Sequence, residues 1–211
     1  MVIAIDGPAG SGKSTIAKMV ADGKGITYIN SGKLYRTITL GCLRSGIDIQ
    51  NNEKVIEYAK NIKITYIKDR VFLNDEDVTD SLHTDEIDRH SAPLSAFVPV
   101  RHIVNDLIRF LAKDRSIVVE GRDMTTVVFP DTPYRFYLDA SADSRAKRRF
   151  EQGTSNLSLE EIKKAILTRD EIDKNKEEGS LKIAQGVKYF DTSDLTIIQV
   201  YDKLIQEIDK L

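Results

Sequence analysis

The sequence predicts a three-layer α/β fold with a parallel central sheet and an inserted segment containing an antiparallel hairpin. Three observations support this prediction. Short apolar runs of the kind buried in parallel sheets alternate with segments of helical period. A glycine-rich turn follows the first apolar run directly. One stretch in the middle of the chain alternates apolar and polar residues, which interrupts the rhythm of strand followed by helix.

The amino-terminal part begins with a buried strand at residues 2–5. Apolar spacing predicts a helix over about residues 15–21 and a second strand over residues 26–29. Ser31 is the expected N-cap of a further helix that ends near residue 43. A serine hydroxyl suits that position because it accepts a hydrogen bond from a free N–H of the first turn.

The middle of the chain carries the hairpin. Residues 62–67 alternate apolar and polar side chains, residues 68–70 form a charged turn, and residues 71–73 are apolar again. An antiparallel hairpin does not belong to the repeating units of a parallel sheet. Residues 30–98 are therefore predicted to form an inserted domain, and residues 1–29 and 99–211 the core.

The carboxy-terminal part returns to alternating strands and helices. Strands are predicted at residues 117–119, 134–138 and 187–190, and helices at residues 100–112, 142–152, 159–174 and 195–211. Ser193 is the expected cap of the last helix. The helix predicted at residues 142–152 is rich in arginine and lysine, and a polar stretch at residues 153–158 joins it to the next helix.

Composition limits the classes of partner. The chain has 31 Lys and Arg against 33 Asp and Glu, a formal net charge of −2, which argues against a nucleic-acid partner held by a broad basic surface. No apolar run approaches the roughly 20 residues that cross a bilayer, and the first residues lack the features of a secretory signal. A cytoplasmic monomer without a membrane partner is expected. Cys42 is the single cysteine, so no internal disulfide can form.

Residues 7–14 match the phosphate-binding pattern G-x-x-x-x-G-K-[ST] and lie between a predicted strand and a predicted helix. The glycines let backbone N–H groups close around phosphate oxygens, and the helix directs its positive end at the same anion. Lys13 can reach the β- and γ-phosphates, and the Ser14 hydroxyl can ligate Mg²⁺. ATP or GTP is the expected ligand, with Mg²⁺ as cofactor. The residues expected to bind it are Gly7, Pro8, Ala9, Gly10, Ser11, Gly12, Lys13, Ser14 and Thr15.

A second set of cations indicates the class of nucleotide enzyme. The base-reading N-K-x-D motif of GTPases is absent. A kinase needs a second anion site, and arginine offers a planar, permanently charged fork that binds phosphate oxygens in pairs. Candidates at predicted loops and helix ends are Arg36, Arg101, Arg122 and Arg169. The sequence favours a kinase. The alternatives are a kinase for another small acceptor, such as shikimate, and a regulatory module that binds ATP without turnover.

Five segments, in the same order, resemble the bacterial cytidylate kinase family over nearly the whole chain. Residues 3–15 resemble the family's opening, and residues 30–36 resemble its D-[ST]-G-x-x-Y-R segment. Residues 71–79 resemble the hairpin V-x-L-N-G-x-D-V-T. Residues 120–131 resemble E-G-R-D-[IM]-G-T-V-V-F-P-D, the most family-specific stretch. Residues 169–175 resemble the lid segment R-D-x-x-D-x-N-R.

The resemblance implies a P-loop kinase fold with a monophosphate-binding insert and a mobile helical lid over about residues 145–180. It also implies a transferase of pyrimidine metabolism that moves the γ-phosphate of ATP to CMP or dCMP, with Mg²⁺. Lys13, Arg122 and Arg169 would act on the transferred phosphate, and Arg148 and Arg149 would close over the phosphates.

The resemblance also assigns the acceptor site. Arg101 and Asp123 would read the cytosine base, and Asp173 would meet the sugar hydroxyls. The residues implied to bind the acceptor are Ser31, Arg36, Arg101, Arg122, Asp123, Arg169, Asp173 and Lys176.

Four positions depart from the family pattern. Thr125 stands where the family usually has glycine, and Lys176 replaces an arginine. The lysine lacks the bidentate fork, so its contact is expected to be weaker. Ala92 falls near a serine that some members direct at the base, and His83 stands near a usual arginine. These departures affect base selection and lid closure and leave the phosphate-binding loop untouched.

Overall fold

The computed structural model describes residues 1–67, 69–153 and 157–211, and for Asp85 the backbone alone. Residue 68 of the predicted turn and residues 154–156 of the predicted polar stretch lie outside the described residues. The strands are Val2–Asp6 (β1), Thr27–Asn30 (β2), Ile64–Ile67 (β3), Arg70–Leu73 (β4), Glu76–Asp77 (β5), Ile117–Gly121 (β6), Tyr134–Asp139 (β7) and Lys188–Asp191 (β8). The helices are Lys13–Lys24 (α1), Ser31–Arg44 (α2), Asn52–Asn61 (α3), Asp85–Leu94 (α4), Val98–Ala112 (α5), Ala142–Glu151 (α6), Leu159–Lys174 (α7) and Ile197–Ile208 (α8).

The described chain forms a five-stranded sheet in the order β2-β6-β1-β7-β8, and each neighbouring pair in it is parallel. All five strands therefore end at the same edge. In open α/β sheets, ligands bind in the crevice beyond that carboxyl edge. The predicted three-layer fold with a parallel sheet is confirmed. No helix within the described residues is both long and apolar enough to cross a membrane.

The inserted segment contains a second sheet. Strands β3, β4 and β5 pair antiparallel, so the predicted hairpin is present and gains a third strand. Helices α3 and α4, which the sequence did not predict, lie on either side of this sheet in the chain. The apolar signal of α3 is short, with Val55 and Ala59 as its buried residues, and α4 carries Pro93 inside the helix. Both features weaken a helical pattern read from sequence alone.

The two faces of the parallel sheet are covered by separate apolar clusters. On one face, β1, β6 and β7 pack against α1 and α8. On the other face, residues such as Ala4, Ile29 and Val119 share one continuous cluster with α5 and with the insert, including Val71 and Leu82. The insert therefore has no core separate from that face of the sheet.

Two predicted helix caps are wrong. The Asn30 side chain caps α2 by accepting a hydrogen bond from the Lys33 N–H at 3.1 Å, and Ser31 is the first helical residue. Thr196, not Ser193, caps α8, and Gln199 completes a capping box with it. In both cases two polar residues near the helix start can serve as the cap. The Ser193 hydroxyl instead donates to Asp191 at 2.6 Å, so the helix begins later than predicted.

Helices α6 and α7, which cover most of the predicted lid, pack against each other through a small apolar cluster of Ala146, Ile162 and Ile166. The Arg145 guanidinium donates to both carboxylate oxygens of Asp170, at 3.0 and 2.6 Å, and this pair is buried. Arg145 also donates to the carbonyl of Ala9 at 3.1 Å. The lid base is thus tied to the glycine-rich loop, and Arg145 is not a solvated surface residue.

Candidate active site

The phosphate-binding loop connects β1 to α1 at the carboxyl edge of the parallel sheet. Gly12 precedes α1 with a φ of 88°, a conformation that glycine adopts without strain. Gly7 lies so close to the carbonyl oxygen of Leu138 that a Cβ at this position would collide with it. These two glycines let the backbone curl in front of the first turn of α1, whose N–H groups attract an anion.

Lys13 occupies the centre of this loop. Its Nζ donates to the carbonyl oxygen of Pro8 at 2.9 Å, and the side chain is almost fully buried. Burial, and then the positive charge of Arg122, lower the pKa of Lys13 to about 7. A bound polyphosphate would raise this pKa again and fix the ammonium charge, because an adjacent opposite charge favours the charged form.

A pair of oxygen ligands lies beside Lys13. The Ser14 hydroxyl donates to the carboxylate of Glu120 at 2.7 Å, and the Tyr28 hydroxyl donates to the same Glu120 oxygen at 3.3 Å. A hydroxyl and a carboxylate at hydrogen-bond distance suit Mg²⁺, which takes one or two protein oxygens and completes its shell with phosphates and water. Within the described residues no cluster of three or more His, Cys, Asp or Glu could hold a metal unaided. The donor set therefore fits a metal that arrives with a nucleotide.

A cavity of about 440 Å³ opens from the loop toward the insert. Its wall brings together predicted residues from the loop, the insert, the β6 turn and the lid: Ala9, Gly10, Lys13, Ser14, Ser31, Arg36, Arg101, Arg122, Asp123, Arg149, Arg169 and Lys176. Other predicted residues do not line it, namely Gly7, Pro8, Ser11, Gly12, Thr15, Arg148 and Asp173. The donor and acceptor candidates thus share one cavity, with supporting residues behind its wall.

Three cations surround the buried carboxylate of Asp173. Arg122 Nε lies 2.7 Å from Oδ2, Arg169 Nε lies 3.2 Å from the same oxygen, and Lys176 Nζ lies 2.7 Å from Oδ1. Burial alone would raise the pKa of Asp173, but the three cations together hold it below its ordinary value. Asp173 is fully buried behind the three cations, so it orients them toward the cavity.

Arg101 and Asp123 form a second buried ion pair on the cavity wall. Arg101 Nη1 also donates to the carbonyl of Ser95 at 2.6 Å, and its guanidinium lies 5.8 Å from the ring centroid of Tyr35. Gly179, in the segment after α7, approaches the pair so closely that a Cβ would collide with both partners. The pair is therefore held from three sides and presents a donor and an acceptor side by side.

Arg36 and Ser31 come from α2 and face the cavity from the insert. Arg36 donates to the carbonyl of Leu82 at 3.0 Å and pairs with Asp88 of α4. Ser31 lies directly beneath Gly121, whose missing Cβ makes room for the Ser31 hydroxyl. Both residues are thus positioned by the insert and by the end of β6.

Arg148 and Arg149 lie on different sides of the lid helix α6. Arg149 lines the cavity. Arg148 donates to the Thr192 hydroxyl at 3.2 Å and to its carbonyl, and the Thr192 hydroxyl also contacts the carbonyl of Ser11 at 3.3 Å. Arg148 therefore lies beside the glycine-rich loop, outside the cavity wall.

The positions that depart from the family pattern have distinct surroundings. The hydroxyl of Thr125 donates to Asp6 at 2.6 Å, and Lys176 Nζ donates to the hydroxyl of Ser95 at 3.1 Å. His83 lines the cavity, and burial lowers its pKa. Ala92 is buried but does not line the cavity.

Sequence reasoning missed Glu120 and Asp6 as site residues. Each is a carboxylate at the end of an otherwise apolar strand, Val118-Val119-Glu120 in β6 and Ala4-Ile5-Asp6 in β1. A charged residue that ends a buried strand faces the ligand edge of a parallel sheet. That signal was present in the sequence and could have been used.

The fold and the site together define a P-loop phosphotransferase, because a glycine-rich anion loop, a paired serine and carboxylate, and a cluster of cations face one cavity. The family described as cytidylate kinase matches residues 3–210. The chain belongs to the cytidylate kinase family, and the predicted resemblance is confirmed.

Individual relatives agree with this membership. A cytidylate kinase from Clostridioides difficile strain 630 is 37% identical over 99% of this chain and 98% of its own length. One from Borrelia duttonii strain Ly is 41% identical over 98% of this chain and 97% of its own length.

Solved structures support the fold. An uncharacterized protein from Eubacterium ventriosum has a TM-score of 0.57 at 16% identity, covering 100% of this chain and 99% of that one. A shikimate kinase from Bacteroides thetaiotaomicron has a TM-score of 0.51 at 13% identity, covering 100% and 99%. At these identities the likeness concerns the fold alone.

Proposed function

We propose that this protein transfers the γ-phosphate of ATP to CMP or dCMP, giving CDP or dCDP and ADP. The observation that carries the proposal is the buried pair of Arg101 and Asp123 on the wall of the same cavity as the anion loop. Because shikimate also offers a carboxylate and hydroxyls to such a pair, membership of the cytidylate kinase family is what favours CMP over shikimate. A regulatory module that does not turn over ATP needs no cluster of cations opposite the loop.

The donor is held by the glycine-rich loop. Backbone N–H groups before and within the first turn of α1 bind the β- and γ-phosphates, and Lys13 neutralises the charge that develops between them. Ser14 and Glu120 are the residues that would hold Mg²⁺. Bound there, the ion would supply positive charge that offsets the negative charge of the phosphates. We propose Mg²⁺ for this role because both groups are hard oxygen donors.

The acceptor needs positioning more than activation. A monophosphate is already an anion near neutral pH, so no general base has to remove a proton from it. Two anions must instead be brought together, and Arg122 and Arg169 supply charge between them. Asp173 fixes both guanidinium groups before substrate arrives, at 2.7 and 3.2 Å, which lowers the reorganisation needed during transfer.

Base selection follows from the order of donors and acceptors. The exocyclic amine of cytosine is a donor that Asp123 accepts, while N3 and the carbonyl of cytosine accept from Arg101. Uracil has an acceptor where cytosine has its amine, so UMP would leave the buried carboxylate facing another acceptor. A site built around hydrogen bonds rejects such a substrate because its buried groups lose their partners.

The proposal is tested by measuring ADP formation from MgATP without an acceptor and with CMP, dCMP, UMP, AMP, GMP or shikimate. A rate that appears with CMP and dCMP and not with the others is the expected result. Turnover with shikimate alone, or a rate independent of every acceptor in folded protein, would reject the proposal in favour of the alternatives above.

Asp123→Asn should lower the ratio of kcat/KM for CMP over UMP by about 10- to 100-fold, because the amide can donate where uracil offers an acceptor. The measurement is the same ADP assay with each acceptor varied. Asp106→Asn is the matched control, since Asp106 is an exposed aspartate on α5. An unchanged ratio in Asp123→Asn would remove this residue from base recognition.

The lowered pKa of Lys176 leads us to expect that the KM for CMP depends on pH. Burial lowers the pKa of Lys176 to about 8, opposed by Asp173 and reinforced by Arg169 and Arg101. Because the ammonium loses its charge as pH rises through 8, the KM for CMP at saturating MgATP should rise severalfold between pH 7 and pH 9. Lys176→Arg should flatten this rise, since arginine stays charged throughout.

Lys174→Arg is the control for that experiment, because Lys174 is the exposed last residue of α7, two positions before Lys176. Parallel pH profiles for the wild type and Lys176→Arg would show that another group titrates.

The proposed partners are small nucleotides. A cytoplasmic monomer without nucleic-acid or membrane partners remains the expectation from the sequence, and sedimentation equilibrium of the purified chain measures its oligomeric state.

A further inference from the structure

The last residue of β1 and the turn after β6 lie side by side. In the parallel register of these two strands, Asp6 stands opposite Gly121. Beyond Gly121 the chain passes through Arg122 and Asp123 into one π-helical turn, Met124–Val128. The residue that precedes the anion loop is therefore next to the turn that carries Asp123.

The carboxylate of Asp6 accepts three hydrogen bonds, and all three come from the two residues directly after Asp123. The Met124 N–H donates to Oδ1 at 2.9 Å, the Thr125 N–H donates to Oδ2 at 2.7 Å, and the Thr125 hydroxyl donates to Oδ2 at 2.6 Å. Asp6 and Thr125 are both fully buried. Neither residue has a role in the phosphate transfer described above.

The backbone explains why a carboxylate lies here. The first N–H groups of a helical turn have no partner within the turn itself. The carbonyl of Asp123 already accepts from Val127 and Val128, at 2.8 and 3.1 Å, which closes the turn at its far end. Asp6 closes the near end from a different strand, so the direction in which the chain leaves Asp123 is set by a side chain of β1.

The Thr125 hydroxyl in turn stabilises the buried carboxylate. Burial raises the pKa of Asp6 to about 6, while the side-chain and backbone hydrogen bonds from Thr125 act in the opposite direction. A carboxylate that accepts several hydrogen bonds keeps its charge and its orientation better than one that does not. Position 125 is also one of the positions where this chain departs from the family pattern.

We propose that Asp6 and Thr125 are positioning residues for base recognition, with the Asp6 carboxylate fixing the backbone of the Asp123 turn and the Thr125 hydroxyl fixing that carboxylate. The inference rests on the proposed function, in which Asp123 reads the base. It deepens that function by adding a buried hydrogen-bond unit whose two residues do not line the cavity.

Thr125→Val tests this unit, because valine keeps the shape of threonine and loses the hydroxyl. We expect the KM for CMP to rise about tenfold and the CMP over UMP preference to fall severalfold, with the KM for ATP unchanged. Thr125→Ser should remain close to wild type. Thr132→Val is the matched control, since the Thr132 hydroxyl also donates to β1, at the Val2 carbonyl, far from Asp123.

Hydrogen–deuterium exchange of residues 122–128 supplies a readout that does not depend on turnover. Faster exchange at Met124 and Thr125 in Thr125→Val than in Thr125→Ser is expected, whether or not CMP proves to be the acceptor. Unchanged exchange overturns the proposal even if the wild type phosphorylates CMP. If the wild-type protein does not phosphorylate CMP, the proposed function is rejected. The exchange result then still decides whether Thr125 fixes the turn.

Two kinetic outcomes also overturn the proposal. One is an equal rise in the KM values for CMP and ATP, which is what a general loss of structure would produce. The other is a Thr125→Val enzyme that behaves like Thr132→Val. Thr125→Ala replaces the valine variant if the latter does not fold.

Discussion

Lys13→Ala is expected to lower kcat by about 10²- to 10³-fold and to leave the fold in place. Lys13 is the charged group at the centre of the anion loop, and its ammonium contacts the Pro8 carbonyl at 2.9 Å. Alanine removes the positive charge that the transferred phosphoryl group meets as its charge develops. The measurement is a coupled assay of ADP release at saturating ATP and CMP, with circular dichroism of the variant.

Lys147→Ala is the control for this result, because Lys147 is an exposed lysine on the lid helix α6. It should retain wild-type turnover. An active and folded Lys13→Ala variant would contradict the placement of the donor phosphates in the loop.

Arg122→Ala should lower kcat/KM for CMP by about 10²- to 10³-fold, mostly through kcat. Arg122 lines the cavity and pairs with Asp173 at 2.7 Å, so its guanidinium is held at the cavity wall, where we propose that the phosphate is transferred. Arg122→Lys should be intermediate, because it keeps a charge and loses the planar fork. The assay is full steady-state kinetics in CMP and in ATP.

Stability distinguishes a catalytic loss from unfolding in Arg122→Ala. Removing one partner of a buried ion pair destabilises by about 3–5 kcal/mol when the other partner is left alone. Here Asp173 keeps Arg169 and Lys176, at 3.2 and 2.7 Å, so the loss should be smaller. Arg115→Ala is the control, because Arg115 is exposed, and it should leave both kinetics and stability unchanged. A variant with normal kcat and raised KM alone would assign Arg122 to acceptor binding only.

Much of the fold could be predicted because its signals are local. A parallel sheet is predicted by the short apolar runs of β1, β6 and β7, and its anion loop is predicted by the motif over residues 7–14. Each of these signals spans only a few residues. The lid helix predicted at residues 159–174 has those bounds in the structure. Where local signals compete, prediction failed, as with the caps at Ser31 and Ser193.

Individual motifs predicted most residues of the candidate site. The contacts between residues of different motifs could not be predicted. No local pattern states that Arg122 reaches Asp173 across 51 positions, or that Arg145 pairs with Asp170 across 25 positions. Such pairs depend on how α7 lies against the turn after β6 and against α6. The same limitation hid the contact between Asp6 and Thr125, which joins residues 119 positions apart.

The shared apolar cluster beneath the insert has a thermodynamic consequence. Because Val71 and Leu82 of the insert and Ala4 and Val119 of the sheet belong to one cluster, neither part can melt without exposing the other to water. The insert and that face of the sheet are then one cooperative unit, in the sense used for foldons. A large displacement of the insert would therefore expose part of this cluster to water, whereas among the described residues the apolar cluster between α6 and α7 has three members.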